Sequence, residues 1–200
     1  MFTHPYRWAM IVLITGPVRS GKSARAAHVA HELGQPVTYV ATARIDSADA
    51  EMVDRVARHR AVRGDMPVVE LWQPGVPDLP AVIVAAPAQT TLLVDSLGTW
   101  IAGHLLDLER VVGYDPLGAL DTLERITAPL TGCLQAMQPN LVIVAEEAGW
   151  GIVPPSALAR IFRDHLGRLV QHIALRADRV ELVVAGYAID LKRCGTPIGS

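Results

Sequence analysis

The chain has 200 residues, of which 50% are hydrophobic and 19% are charged, and its formal net charge is −2 at pH 7. This length and composition are typical of one globular domain with its own hydrophobic core. The small negative charge argues against a broad nucleic-acid-binding surface. The most apolar stretch, residues 81–94, is interrupted by Pro87 and Gln89 and is too short and too polar to span a bilayer.

The cysteines and the two ends of the chain bear on its location and domain limits. Cys133 and Cys194 show neither a disulfide framework nor a metal-binding spacing, so we expect a reducing, cytoplasmic environment. The first nine residues lack the apolar core of a signal peptide. We therefore expect an N-terminal tail at residues 1–9, a single domain at residues 10–192 and a C-terminal tail at residues 193–200.

The first motif that predicts chemistry follows the first predicted strand, residues 10–14. The sequence there is GPVRSGKS at residues 16–23, and a helix-forming segment at residues 24–30 comes directly after it. The pattern G-x-x-x-x-G-K-S between a strand and a helix is the phosphate-binding P-loop. The residues expected to bind the nucleotide here are Gly16, Pro17, Val18, Arg19, Ser20, Gly21, Lys22 and Ser23.

The residue types of this loop match the chemistry of phosphate binding. Gly16 and Gly21 allow backbone conformations and close approaches that a Cβ would block. The loop amides and the helix N-terminus then point at phosphate oxygens. We expect Lys22 to reach the β- and γ-phosphates and Ser23 to ligate Mg²⁺. The loop therefore predicts that the single domain is a nucleotide-binding catalytic domain.

Predicted strands and helices alternate through the rest of the chain. Strands are predicted at residues 37–41, 68–72, 91–95, 141–145 and 180–185, the last of them as a final central strand. Helices are predicted at residues 48–62, 97–112, 117–137 and 156–177. Pro129 should kink or shorten the third of these helices, and residues 79–86 fit either a helix or a strand. This order predicts an α/β fold with a mainly parallel central sheet and helices on both faces.

Acidic residues follow two of the buried strands, at the sheet edge where ligands of open α/β sheets collect. Asp95 fits the Walker B acid that helps to hold Mg²⁺, and a strand-ending turn or helix cap is the alternative. Glu146 and Glu147 fit either a phosphate site, where a cation offsets their repulsion, or a solvated loop with helix caps. Of these two, Glu147 is the stronger candidate for a site residue.

His59 lies among four arginines, and two interpretations fit this cluster: Arg55, Arg58, Arg60 and Arg63. A basic cluster on a predicted helix is most often a solvated face. Alternatively, the guanidinium groups attract a triphosphate and disfavour a protonated imidazole. A neutral imidazole is a competent nucleophile toward phosphorus.

Seven blocks of the sequence, taken in order, resemble the bifunctional adenosylcobinamide kinase/adenosylcobinamide-phosphate guanylyltransferase family, also called the CobU/CobP family. They are ITGPVRSGKS at 14–23, YVATA at 39–43, DAEMVDRVARHRAVR at 49–63, LLVDSLGTW at 92–100, EAGWGIVP at 147–154, FRDHLGRLVQHIA at 162–174 and ELVVAGYAIDLK at 181–192. Together they cover most of the chain from Met10 to Lys192. Besides the P-loop, the histidine block and the GxGIVP block are the most specific.

This resemblance implies a RecA-like P-loop NTPase fold, a homotrimer, ATP and GTP as substrates, and Mg²⁺ as cofactor. It implies that the enzyme phosphorylates adenosylcobinamide and then transfers GMP from GTP to adenosylcobinamide phosphate through a guanylylated histidine. The products are adenosylcobinamide-GDP and pyrophosphate. The predicted catalytic residues are His59 and Lys22, and the predicted metal ligands are Ser23 and Asp95. Outside the P-loop, the predicted nucleotide-binding residues are Arg60, Arg63, Glu70 and Glu147.

The chain departs from the family pattern at a few positions. Glu146 stands where asparagine is usual, and Val170 stands where asparagine usually precedes Gln171. Two other functions stay open beside the bifunctional enzyme. One is a simple small-molecule P-loop kinase in which His59 only lines a basic face. The other is a nucleotide-binding switch or ATPase subunit that acts on a protein partner.

Overall fold

The computed structural model describes residues 9–44 and 63–198. Within them, seven strands form one sheet, in the spatial order β3-β2-β4-β5-β1-β6-β7. The strands are β1 Ile11–Gly16, β2 Val37–Ala41, β3 Val68–Glu70, β4 Thr91–Asp95, β5 Asn140–Glu146, β6 Arg179–Val184 and β7 Tyr187–Asp190. Every neighbouring pair is parallel except β6 and β7. The predicted mainly parallel sheet is therefore confirmed.

Helices cover both faces of this sheet. In the described residues they are α1 Lys22–Glu32, α2 Leu79–Ala85, α3 Leu97–Asp107, α4 Glu109–Tyr114, α5 Pro116–Cys133, α6 Ala157–Arg176 and α7 Leu191–Cys194. Alternate residues of β1 point to opposite faces. Leu13 packs in the larger hydrophobic cluster with residues of α2 to α6, whereas Val12 and Ile14 pack with α1 in the smaller one. No helix of the described residues is both long and apolar enough to cross a bilayer.

The described elements agree with most of the predicted ones. They also decide one ambiguous segment and change the end of one helix. Residues 79–86, which fitted either a helix or a strand, contain the helix α2. Asp78 explains this outcome, because its carboxylate accepts a hydrogen bond from the Leu79 amide at 2.8 Å and caps the helix. α5 contains Pro129 and ends at Cys133, earlier than predicted. The predicted helix at residues 48–62 lies outside the described residues.

The end of the chain corrects one prediction. The strand predicted at residues 180–185 is flanked on both sides, by β1 and β7, but it is not the last strand, because the antiparallel edge strand β7 follows it. Ala185 and Gly186, with φ angles of 51° and 82°, turn the chain between these strands. β7 is short and mostly exposed, so the tetrapeptide YAID carries no alternation between buried and exposed residues that would reveal a strand.

The register of the sheet places the predicted site residues along one edge. Gly16 of β1 aligns with Glu146 of β5, and Asp95 of β4 aligns with Ala41 of β2. Ala41 in turn aligns with Glu70 of β3. All of these residues are at the carboxyl ends of parallel strands, where α/β proteins bind their ligands.

Candidate active site

The P-loop connects the central strand β1 to α1, as the motif predicts. The backbone of Gly16 has a φ of 154°, and a Cβ on this residue would clash with the carbonyl oxygen of Val183. Gly21, with a φ of 102°, is the residue immediately before the first turn of α1. The loop is closed by hydrogen bonds from the Ser20 amide to the Pro17 carbonyl and from the Gly186 amide to the Ser20 carbonyl, at 3.3 and 3.0 Å.

Lys22 is buried inside this loop rather than extended into solvent. Its Nζ donates a hydrogen bond to the Pro17 carbonyl oxygen at 2.9 Å. Burial lowers the pKa of Lys22, while the negative charges of Glu146 and Asp95 act in the opposite direction. The side chain is therefore bound to the phosphate-binding loop and also experiences the negative charge of two acids, which a cation compensates.

Asp95 is held at the end of β4 by a phenol from the neighbouring strand. The Tyr39 hydroxyl donates a hydrogen bond to Asp95 Oδ2 at 3.0 Å, and both residues are buried. Burial raises the pKa of Tyr39, and the negative charge of Asp95 and the hydrogen bond raise it further, so the phenol remains a donor. The guanidinium carbon of Arg63 lies 5.7 Å from the centre of the Tyr39 ring, within the range of a cation–π contact.

Glu146, the first of the two adjacent acids, is bound to the start of α3. Its carboxylate accepts hydrogen bonds from the Gly98 amide at 2.9 Å and from the Ser96 hydroxyl. A Cβ at Gly98 would clash with Glu146 Oε2, so this contact requires glycine. A carboxylate at this place also interacts favourably with the positive end of the helix dipole. Glu146 thus has a structural role in this chain.

Glu147 is turned toward its own loop. Its Oε1 accepts a hydrogen bond from the Gly149 amide at 2.6 Å, and its own amide donates to the Gly16 carbonyl at 2.8 Å. The backbone after β5 is therefore attached directly to the first residue of the P-loop. Glu147 thus follows the strand next to the P-loop, and its role in nucleotide binding stays a prediction.

The other predicted site residues are spread along the same edge. Glu70 ends β3, and its carboxylate accepts a hydrogen bond from Gln73 at 3.0 Å. Four strand intervals separate β3 from β1, or about 19 Å at the usual strand spacing. Glu70 and Lys22 are thus too far apart to contact the same phosphate, and a nucleotide would have to extend along the edge to reach both. His59 and Arg60 lie outside the described residues.

One residue that contributes to the site was not predicted as such. Tyr39 was assigned to the second strand and to the YVATA block but to no site role, although it holds the carboxylate of Asp95. A buried tyrosine needs a partner for its hydroxyl. A tyrosine within a predicted buried strand was therefore the available signal, but the identity of its partner depends on strand order.

The side chains at this edge suit a magnesium ion. Mg²⁺ is usually bound by one or two carboxylates or hydroxyls together with waters and substrate phosphates. Asp95 at the end of β4 and Ser23 in the first turn of α1 offer such oxygen ligands. Among the described residues there is no group of three or more histidine, cysteine, aspartate or glutamate side chains that could hold a metal ion alone. The donor set therefore fits an ion that is shared with phosphates.

A P-loop on the central strand of a mainly parallel sheet, with a buried acid at the end of a nearby strand, defines a P-loop nucleotide-binding enzyme. The family model described as "Cobinamide kinase / cobinamide phosphate guanyltransferase" matches residues 12–191. The chain belongs to this family. Its activities are accordingly those of a cobinamide kinase and a cobinamide phosphate guanylyltransferase.

Individual proteins of known name are similar over nearly the whole chain. The bifunctional adenosylcobalamin biosynthesis protein CobP of Pseudomonas aeruginosa is 37% identical over 93% of this chain and 98% of its own length. The corresponding proteins named CobU are 35% identical in Escherichia coli and 32% identical in Salmonella typhimurium, each over 92% of this chain and all of the relative. These matches confirm the predicted resemblance. They give no support to the simple kinase or to the switch subunit.

Proposed function

We propose that this enzyme phosphorylates adenosylcobinamide with ATP or GTP and then transfers GMP from GTP to the new phosphate. The products are adenosylcobinamide-GDP and pyrophosphate, and the pathway is adenosylcobalamin biosynthesis, as the names of the relatives suggest. The observation that carries the proposal is the position of Lys22, buried in the P-loop beside Glu146 and Asp95. A fixed cation at that place offsets the charge of a triphosphate.

In the kinase step, the hydroxyl oxygen of the acceptor attacks the γ-phosphorus of the nucleotide. The bond from this phosphorus to the β,γ-bridging oxygen breaks, the nucleoside diphosphate leaves, and the hydroxyl proton is lost. The P-loop amides and Lys22 meet the charge of the phosphoryl oxygens. Since the acceptor supplies its own nucleophile, this step needs no nucleophile from the protein.

In the guanylyltransferase step, we assign the nucleophile to His59. An imidazole nitrogen attacks the α-phosphorus of GTP, a phosphorus–nitrogen bond forms, and pyrophosphate leaves. A phosphate oxygen of the acceptor then attacks the same phosphorus and releases the histidine. Two displacements replace one difficult transfer, which is the advantage of covalent catalysis. The support for His59 is the sequence block at residues 49–63 and its arginines, including Arg60 and Arg63.

Three further features belong to this proposal. Ser23 and Asp95 would hold Mg²⁺, which neutralises phosphate charge when it is bound. The assembly is a homotrimer, as the family resemblance implies. The location is cytoplasmic, which agrees with free thiols at Cys133 and Cys194 in the described residues.

Incubation with GTP labelled at the α-phosphate tests the covalent step. We expect the chain to take up a label that is labile in acid and stable in base, as a phosphoramidate is. His59→Asn should take up none and should lose GMP transfer, while it retains a measurable part of the kinase activity. The matched control is His172→Asn, an exposed histidine of α6. Labelling of His59→Asn would assign the nucleophile to another residue; the His172→Asn control already tests His172, and the next to test are His28, His31 and His165.

A further inference from the structure

The loop after β5 exposes large apolar side chains next to the P-loop. Trp150, Ile152 and Val153 are 63%, 97% and 71% exposed. A single exposed hydrophobic residue is ordinary on a protein surface, but a contiguous apolar patch marks a binding surface. We refer to these three side chains as the apolar shelf.

The backbone under the apolar shelf is fixed by two arginines of α6. Arg163 Nη1 donates hydrogen bonds to the carbonyls of Gly151 and Ile152, both at 3.2 Å. Arg160 Nη1 donates to the carbonyls of Pro154 and Pro155, at 3.0 and 2.6 Å. The loop is therefore held in place while its apolar side chains stay in solvent. A surface that is ordered before binding loses less entropy when a ligand arrives.

A cavity with several polar side chains in its wall lies between the start of this loop and α6. Its volume is about 440 Å³, and its walls include Glu147, Asp164 and Gln171. The two arginines in the wall have partners, since Arg163 binds the loop carbonyls and Arg168 pairs with Glu124 of α5 at 2.9 Å. The uncommitted polar groups of the wall are therefore mainly amide and carboxylate groups, which suit neutral hydrogen-bonding ligands.

The segment that carries the shelf and borders the cavity is attached to the P-loop at Glu147. The Glu147 amide donates to the carbonyl of Gly16, the first residue of the P-loop. An acceptor must bring its hydroxyl to the γ-phosphorus, so its binding site has to lie against this loop. Cobinamide is a broad, flat corrin macrocycle with apolar methyl groups and several amide arms. Such a molecule needs an apolar surface beside a cavity that offers hydrogen-bonding groups.

We propose that the apolar shelf and the neighbouring cavity bind the corrinoid acceptor. The macrocycle lies against Trp150, Ile152 and Val153, and amide arms enter the cavity toward Asp164 and Gln171. This assignment rests on the proposed function, because it takes cobinamide as the acceptor. It separates the acceptor from the nucleotide, whose phosphates occupy the P-loop.

The double variant Trp150→Ala/Ile152→Ala tests the shelf. We expect the dissociation constant of cobinamide, measured by equilibrium dialysis, and its KM to rise by about tenfold or more, which corresponds to about 1.4 kcal/mol. Gln171→Ala should weaken cobinamide binding by a few fold, since it removes a polar group from the cavity. Leu117→Ala is the control, because Leu117 is 75% exposed at the start of α5 and should leave cobinamide binding unchanged.

Covalent labelling from GTP separates the failure of this proposal from failure of the function. Labelling needs no acceptor, so the double variant should take up label as the wild type does. Unchanged cobinamide binding, or a parallel loss of labelling, would overturn the acceptor site. A change of assembly state by sedimentation with unchanged cobinamide binding would identify the shelf as a contact between subunits instead. Absence of label in the wild type would count against the guanylyltransferase mechanism alone.

Discussion

Two regions of this molecule bury titratable side chains, and the two environments differ. One surrounds a charged side chain with opposite charges, and the other holds a neutral side chain. At the carboxyl edge of the sheet, Lys22 is buried close to Glu146 and Asp95, and opposite charges compensate one another. In the contact between α5 and α6, the imidazole of His165 is 5% exposed, and its Nε2 lies 2.8 Å from the Thr127 hydroxyl. Burial lowers the pKa of His165, so this group is kept neutral.

The difference shows what each buried group is for. A buried charge is costly unless partners surround it, so the sheet edge is built from hydrogen bonds that hold each acid. These fixed charges are the groups that can interact electrostatically with a triphosphate. The helix pair needs only close packing, for which a neutral imidazole with a hydroxyl partner is sufficient. Substitutions at the edge should therefore change activity, and substitutions in the helix pair should change stability.

The largest effect is expected for Lys22→Ala. Both reactions place phosphate charge in the same loop, so we expect both to fall by about a hundredfold to a thousandfold or more. Kinase activity and labelling from GTP measure the two reactions separately, and circular dichroism checks the fold. If the variant retained either reaction near the wild-type rate, that step would not require Lys22.

Glu146 is the exception at the sheet edge, because its carboxylate binds the start of α3 and its substitution should change stability. Glu146→Ala leaves the Gly98 amide and the Ser96 hydroxyl without their acceptor, which should reduce the free energy of unfolding by about 1–3 kcal/mol. Glu146→Gln keeps an acceptor oxygen and should cost less. Urea denaturation measures both variants. If Glu146→Gln were as unstable as Glu146→Ala, the charge beside Lys22 rather than the hydrogen bonds would be the stabilising feature.

Tyr39→Phe should have a smaller and more specific effect. It removes the hydrogen bond to Asp95 Oδ2 and leaves the ring beside Arg63. A hydrogen bond to a carboxylate contributes about 1.5–3 kcal/mol to stability. Its loss affects Mg²⁺ binding only to the extent that the bond orients Asp95. We therefore expect the Mg²⁺ concentration for half-maximal activity to rise by a few fold, with KM for cobinamide unchanged. An equal rise in both constants would indicate a general loss of structure.

The sequence was sufficient for the elements that have strong local patterns. The P-loop has a defined spacing, and the runs at β2 and β4 are apolar, β-branched and bounded by polar or turn residues, so their limits were predicted as observed. The contacts that hold the acids were not predictable. Tyr39 and Asp95 are 56 residues apart, and Gly98 and Glu146 are 48 residues apart, so both contacts depend on strand order. β7 was missed because an exposed edge strand has no hydrophobic period.

The smallest effect is expected at His165, and it depends on pH. The folded protein lowers the pKa of this imidazole below its ordinary value of 6.5, because burial disfavours the charged form. Glu124 raises this pKa and Arg168 lowers it, and these two residues pair with each other at 2.9 Å.

The sign of the effect follows from proton linkage. Below about pH 6.5 the unfolded chain binds a proton at His165 more readily than the folded chain does, so stability falls as the pH decreases toward the folded pKa and then levels off. His165→Gln keeps a partner for Thr127 but does not titrate, so its melting temperature should fall less between pH 7.5 and pH 5.5 than that of the wild type. His172→Gln, at an exposed position of the same helix, should show the wild-type decrease. If His165→Gln also kept the full decrease, the acid sensitivity would arise elsewhere, and the helix pair would not differ from the sheet edge in the way described above.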